Sequence, residues 1–130
     1  MQRKIKAIFI LTCAFLYSCK HDTGRIKPIC TTPETISFSN NIIPLFTQNC
    51  STSGCHTGSN AAAHLNLDAA VAYTSLIKSG SGYIDTLSPN ASLLYAQMVS
   101  ASNPMPKAGR LDDCKTNMIL KWIQQKAKNN

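Results

Sequence analysis

Two cysteines and a histidine form the most reactive pattern in this sequence: Cys50, Cys55 and His56. Two neighbouring thiols can add across the two vinyl groups of a porphyrin, and an imidazole directly after the second thiol can reach the iron, which is how c-type haem is attached. Four residues separate the cysteines here, where two are usual, so the run between them must bulge. That run holds Gly54 and three small hydroxyl residues, a composition that suits a bulged loop.

Two simpler interpretations use the same residues. Cys50 and Cys55 could form a disulfide, or both thiols could bind zinc together with His56 or His64. A motif match becomes informative only when its context agrees. The pattern alone therefore leaves haem, disulfide and zinc open.

The N-terminus has the features of a bacterial export signal. Three basic residues precede an apolar stretch, residues 7–16, that is too short to span a membrane. The run Leu16-Tyr17-Ser18-Cys19 resembles a lipoprotein cleavage sequence, so we expect residues 1–18 to be a lipoprotein signal peptide and Cys19 to carry lipid. An ordinary signal peptide that leaves Cys19 as a thiol is the alternative. The chain is therefore expected in the bacterial periplasm or cell envelope, anchored to a membrane by its lipid.

The number of cysteines supports the haem interpretation. Removal of Cys13 with the signal peptide leaves five, and an odd number needs an explanation in an oxidising compartment. If Cys19 carries lipid and the two motif cysteines carry haem, Cys30 and Cys114 remain and can form a disulfide. The alternative leaves one of these two as a free thiol.

A second candidate iron ligand lies in the run Asn103-Pro104-Met105-Pro106-Lys107. The two prolines keep the run out of a helix and restrict its backbone, so the Met105 thioether is held on a rigid support. A methionine opposite a histidine raises the iron potential. An ordinary loop methionine is the alternative, and His64 is the second candidate for the sixth ligand. Met98 and Met118 fall at helical spacing and are expected in the core.

The expected architecture is all-α. Residues 19–35 are polar and contain two prolines, which predicts a lipidated tether before a domain at residues 36–130. Apolar residues recur at helical spacing in that domain. Four helices are expected: one capped by Ser39 or Asn40 that reaches Cys50, one from Asp68 to Lys78, one after Ser88-Pro89, and one from Asp112 or Asp113 to Lys126.

Composition argues against several classes of function. The formal net charge is +7 over 130 residues, but no lysine and arginine cluster is interleaved with aromatic residues, so nucleic acid is a poor partner. The sequence has a single glutamate, Glu34, and the adjacent Asp112 and Asp113 do not face one cleft as paired catalytic carboxylates must. It also has no nucleophile-elbow serine and no glycine-rich phosphate loop. We therefore expect a carrier that is not an enzyme and has no small-molecule substrate.

From residue 38 to the C-terminus the chain resembles small c-type cytochromes of class I architecture, especially exported bacterial lipoproteins with the longer cysteine spacing. The resemblance rests on Phe38-Ser39-Asn40-Asn41-Ile42-Ile43-Pro44-Leu45-Phe46, Asn49-Cys50, Gly54-Cys55-His56, Ser92-Leu93-Leu94, Met105-Pro106, and Cys114 followed by Lys121-Trp122-Ile123. It implies a small cytochrome c-like fold with helices packed around one covalent haem c. Cys50 and Cys55 would be the thioether anchors, His56 the proximal ligand and Met105 the distal ligand.

The resemblance also implies a function, a monohaem electron carrier that exchanges electrons with redox partner proteins. In that architecture the first and last helices cross, which would place Phe46 against Ile119 or Trp122. Two alternatives remain open. One is a zinc- or disulfide-stabilised lipoprotein that binds another protein, and the other is a haem protein with an open sixth position, such as a peroxidase or a small-ligand sensor.

Overall fold

The described part of the chain, residues 29–130 of a computed structural model, is helical and contains no strand. This confirms the all-α expectation for that part of the chain. The helical elements are a π-helical turn at Phe38–Ile42, α1 at Ile43–Asn49, α2 at Ala72–Leu76, α3 at Leu93–Val99 and α4 at Asp113–Gln124. Short 3₁₀ turns lie at Ala62–His64 and Pro89–Ala91.

The first helical segment begins earlier than predicted. Ser37, not Ser39 or Asn40, is the N-cap, and its side chain accepts a hydrogen bond from the backbone N–H of Asn40. The π-helical turn then leads into α1, where Pro44 occupies the first turn. Proline lacks an N–H and its ring crowds the carbonyl four residues earlier, which accounts for the wider turn before it. As predicted, the helix delivers Cys50 at its C-terminal end.

The two middle helices are shorter than predicted. Asp68 does not cap α2, which begins only at Ala72, because the Asp68 carboxylate is bonded to another loop. Ser88 does not cap α3 either, because Pro89 starts a separate 3₁₀ turn and α3 follows Ser92. Contacts distant in sequence override the capping signal at Asp68, and the neighbouring 3₁₀ turn overrides it at Ser88.

The last helix agrees with prediction at its start and ends two residues early. The Asp112 side chain caps α4 by accepting a hydrogen bond from the backbone N–H of Lys115 at 2.9 Å. Lys126 and Ala127, just beyond the helix, adopt positive φ angles of 72° and 44°, so the helix stops before them.

The segment before the π-helical turn is attached along α4. Cys30 and Cys114 form a disulfide with their Cα atoms 5.2 Å apart. The backbone carbonyl of Pro33 accepts a hydrogen bond from the Lys121 side chain of α4 at 2.7 Å, and that of Glu34 accepts one at 2.6 Å from Gln125, the residue that follows α4. The packed part of the chain therefore includes the end of the segment that the sequence assigns to the tether.

One buried cluster joins the first and last helical segments. The Phe38 ring lies 6.4 Å from Phe46, 5.3 Å from Tyr73 and 5.1 Å from Trp122, measured between ring centroids. Phe46, Trp122 and Ile119 are all fully buried in this cluster. The two segments thus meet around Phe38, where the resemblance implies a contact of Phe46 with Ile119 or Trp122.

Predictions for the N-terminal region fall outside the described residues. These are the signal peptide at residues 1–18, the lipid on Cys19 and most of the tether. Within residues 29–130, no helix has the length and apolar character needed to cross a bilayer.

Candidate functional site

The predicted site residues line one cavity. Cys50, Cys55, His56 and Met105 all contribute to the wall of a mostly apolar cavity of about 510 Å³. The remaining wall is formed by Asn49, Gly54, Ala62, Ala63, Leu65, Leu67, Tyr83, Leu93, Leu94, Gln97, Met98, Pro106 and Lys107. Cofactor pockets have volumes of roughly 300–1,000 Å³. The fold therefore gathers four residues that are up to 55 positions apart, since 105 − 50 = 55.

Both motif cysteines are free thiols. Cys50 is half-buried at the end of α1, and Cys55 is exposed. Burial, followed by the neighbouring Cys55 thiol, raises the pKa of the Cys50 thiol from 9.0 to about 11. Cys50 is therefore neutral at neutral pH, and the alternative disulfide between Cys50 and Cys55 is not formed in the structure.

The run between the cysteines folds as a tight loop. The N–H of Cys55 donates to the carbonyl of Thr52 at 2.9 Å, and Gly54 has a φ of 78° at the third position of this turn. A turn of this type favours glycine there because the position requires a positive φ. The N–H of His56 donates to the carbonyl of Cys50 at 3.1 Å, which closes the loop. The two extra residues are thus accommodated as a bulge, as predicted.

The hydrogen bonds of His56 determine which ring nitrogen is available. Its Nδ1 atom lies 3.1 Å from the carbonyl oxygens of Ala62 and Leu65. Carbonyl oxygens only accept hydrogen bonds, so Nδ1 carries the proton and Nε2 carries a lone pair. A backbone carbonyl that orients the imidazole in this way is the usual support of a metal-binding histidine. His56 therefore leaves Nε2 as the ring atom with which a histidine in this tautomer could bind a metal.

The Asp68 side chain accepts hydrogen bonds from residues at both ends of the motif. Its carboxylate accepts hydrogen bonds from the hydroxyls of Ser51 and Thr57, the latter at 2.6 Å, and from the backbone N–H of Gly58 at 2.9 Å. These bonds, led by that from Ser51, lower the pKa of Asp68 from 3.8 to about 2. The charged Asp68 side chain thus links the two ends of the motif through hydrogen bonds, where the sequence predicts a helix cap.

Met105 reaches the cavity from the loop between α3 and α4. It is half-buried, and its backbone N–H donates to the carbonyl of Gln97 in α3 at 3.0 Å. The peptide bond between Met105 and Pro106 is cis. His64, the other candidate for the sixth ligand, is exposed and is not part of the cavity wall. The cavity geometry therefore favours Met105 over His64.

Several wall residues are not evident as site residues in the sequence. Met98 is buried as predicted, but it also lines the cavity. Tyr83 lines the cavity, and its hydroxyl donates to the carbonyl of Ala63 at 2.7 Å. Leu65 and Leu67 are buried in a stretch without regular helix. Only the fold brings these residues to the motif, so no spacing rule identifies them.

The described residues do not supply the ligand set that the zinc alternative needs. Within residues 29–130, no three histidine, cysteine, aspartate or glutamate side chains come together as metal ligands. Structural zinc sites use four such ligands. The geometry around Cys50 and Cys55 therefore does not favour zinc.

Comparisons with protein families, with characterised proteins and with solved structures give no match to this chain.

Proposed function

We propose that this chain is a monohaem c-type cytochrome, an exported and lipid-anchored electron carrier. Cys50 and Cys55 would bind haem c through thioethers, and His56 and Met105 would be the axial ligands of its iron. One observation carries the proposal: both thiols, the imidazole and the thioether line the same apolar cavity. The disulfide and zinc interpretations explain neither the cavity nor the presence of Met105 in its wall.

The residues present fit a haem group. The cavity has a volume of about 510 Å³ and mostly apolar walls, as a porphyrin face requires. His56 offers an Nε2 lone pair because its Nδ1 faces two carbonyl oxygens. When bound, the haem iron would supply one-electron exchange, and a His/Met ligand pair would raise its potential.

The wall of the cavity supports a carrier over a haem enzyme. None of the described aspartate or glutamate residues lines it. Of the two histidines in residues 29–130, His64 is exposed outside the wall, and the one that lines the cavity is the proposed proximal ligand. Peroxidase-type chemistry needs a proton-transfer group opposite that ligand and an open sixth position. Met105 would instead occupy the sixth position.

The test is a visible spectrum of the purified full-length protein after expression in a periplasm with haem-attachment machinery. We expect a sharp α band on reduction and colour that stays with the polypeptide after acid-acetone extraction. A variant with both Cys50→Ala and Cys55→Ala is the control and should lose covalent colour. Colourless wild-type protein from a competent host would contradict the proposal and favour a lipoprotein that binds another protein.

The lipid anchor has a separate test. We expect the wild-type chain in the membrane fraction, held by acyl chains on Cys19, and a Cys19→Ser variant in the soluble fraction. Haem content measured in both fractions distinguishes a failure of anchoring from a failure of haem attachment.

A further inference from the structure

We infer that Asp68 is a positioning residue for covalent haem attachment, which holds the two ends of the long motif together so that both thiols face the cavity. The inference rests on the proposed function. It concerns a residue outside the Cys50–His56 motif that has no place among the thioether anchors or iron ligands.

The contacts of Asp68 fall at the two ends of the motif. Ser51, which donates its hydroxyl, directly follows Cys50. Thr57 and Gly58, which donate a hydroxyl at 2.6 Å and a backbone N–H at 2.9 Å, directly follow His56. A single carboxylate therefore links the residue after the first anchor to the residues after the proposed iron ligand.

Asp68 is itself held in place by its neighbours. Its backbone N–H donates to the side-chain oxygen of Asn66 at 2.8 Å, and the Asn66 amide donates to the carbonyl of Gly58 at 3.0 Å. The N–H of Leu67 donates to the carbonyl of His56 at 2.8 Å. The stretch at residues 65–68 thus forms a frame against the motif, and Asp68 carries its only carboxylate.

The four-residue spacing between Cys50 and Cys55 explains why the motif needs this additional support. Each thiol adds its S–H across one vinyl double bond, with sulfur bound to one carbon and hydrogen to the other, so no oxidant or reductant is consumed. Two extra residues between the cysteines add backbone freedom. A loop that moves freely allows one thiol to react while the other stays out of reach, which leaves one thioether and one free thiol. Asp68 restricts that freedom by closing the loop at both ends.

The test counts unreacted motif thiols in Asp68→Ala. Full-length protein from a haem-attaching periplasm is denatured, reduced and alkylated, and its mass is measured. Mature chains that have lipid on Cys19 and both thioethers carry two alkyl groups, on Cys30 and Cys114, and each unreacted motif cysteine adds one more. We define the ratio of chains with three or four alkyl groups to chains with two. Asp68→Ala is expected to raise this ratio by about fivefold or more.

The matched control is Asp85→Ala. The Asp85 carboxylate also accepts two backbone hydrogen bonds in a loop, from Leu87 and Ser88 at 2.8 and 2.9 Å, but makes none to the motif. It should leave the thiol count unchanged. Asp68→Asn keeps an acceptor oxygen and should give an intermediate ratio.

A second variant covers the case in which Asp68→Ala fails to fold. Replacing both Ser51 and Thr57 by Ala removes the two hydroxyl donors but keeps the bond from Gly58, and it should raise the same ratio. Hydrogen exchange at the Gly58 amide in haem-free protein directly reports the hydrogen bond from Gly58 to Asp68 and should be faster in Asp68→Ala. Faster exchange with both thioethers intact would overturn the inference and leave the proposed function standing. Wild-type protein without covalent haem would overturn both.

Discussion

At the scale of single residues, the site depends on which atoms the backbone leaves available. The Nδ1–H of His56 is hydrogen-bonded to two carbonyl oxygens, so Nε2 carries the lone pair that could bind a metal. The rigid loop that carries Met105 is tied to α3 through the carbonyl of Gln97. Sequence identifies both side chains, but their shared cavity depends on backbone hydrogen bonds made by other residues.

Replacement of Met105 by Ala should keep covalent haem, lower the reduction potential and allow carbon monoxide to bind the reduced iron. In the proposed function Met105 is a sulfur ligand of the iron, and because such a ligand raises the potential, its removal should lower the potential. Redox titration and a carbon monoxide difference spectrum measure the change. Met98→Leu and His64→Ala are the controls and should leave both properties unchanged. An unaltered potential in Met105→Ala would exclude it as the ligand, and a large fall in Met98→Leu would transfer the role to the buried methionine.

Asp68 should make stability depend on pH in acid. Its folded-state pKa of about 2 lies below its ordinary value of 3.8, so ionised Asp68 stabilises the folded state above about pH 3.8. This contribution is lost as the pH falls toward about 2. Thermal unfolding of wild type and Asp68→Asn should therefore differ most at pH 5 and converge near about pH 2. A difference that stays constant over this range would contradict the assigned pKa.

At the scale of elements, α4 contacts both the segment before the π-helical turn and the buried aromatic cluster. It carries Cys114 of the disulfide and Lys121, which donates to the carbonyl of Pro33, and Gln125 just beyond it donates to the carbonyl of Glu34. Its buried side carries Trp122, whose ring lies 5.1 Å from Phe38 and whose Nε1 donates to the carbonyl of Lys128 at 2.9 Å. The helix therefore holds the segment that leads into α1, and α1 ends at the first motif cysteine.

Replacement of Trp122 by Ala should lower the free energy of unfolding by about 3–5 kcal/mol, because it removes a fully buried aromatic side chain and leaves a cavity. Denaturant unfolding monitored by circular dichroism measures the change. Gln124→Ala, at an exposed position of the same helix, is the control and should change the free energy by less than about 0.5 kcal/mol. Equal effects of the two variants would contradict the central role of the aromatic cluster.

At the scale of the whole molecule, the disulfide closes a long loop that contains the entire candidate site. Cys30 and Cys114 are 84 positions apart, and the motif and Met105 lie between them. All residues of the candidate site therefore lie within the loop that the disulfide closes. Cys50 and Cys55, which line the cavity, take no part in that disulfide.

Removal of this disulfide should lower the free energy of unfolding by about 4.6 kcal/mol, the value expected from chain entropy for a loop of this length. Comparison of wild type with a variant that carries both Cys30→Ser and Cys114→Ser measures the loss. Dithiothreitol should destabilise the wild type and leave the double variant unaffected. A double variant as stable as the wild type would contradict a stabilising role for the bond.

The sequence by itself determined the features that depend on neighbouring residues. The thiols and imidazole of the motif, the positive φ of Gly54 and the Asp112 cap of α4 each follow from local chemistry. The all-α character follows from apolar spacing along the chain. Counting cysteines left the pairing of Cys30 with Cys114 as one of two alternatives, and the structure shows the disulfide.

Only the tertiary structure decided the features that depend on contacts distant in sequence. Asp68 is a plausible helix cap until the fold places Ser51 and Thr57 beside it. Met98 has the spacing of a core residue and becomes a wall residue only because a cavity forms next to it. A polar group or a buried sulfur can satisfy several environments equally well, so its role is determined by which segments pack against it.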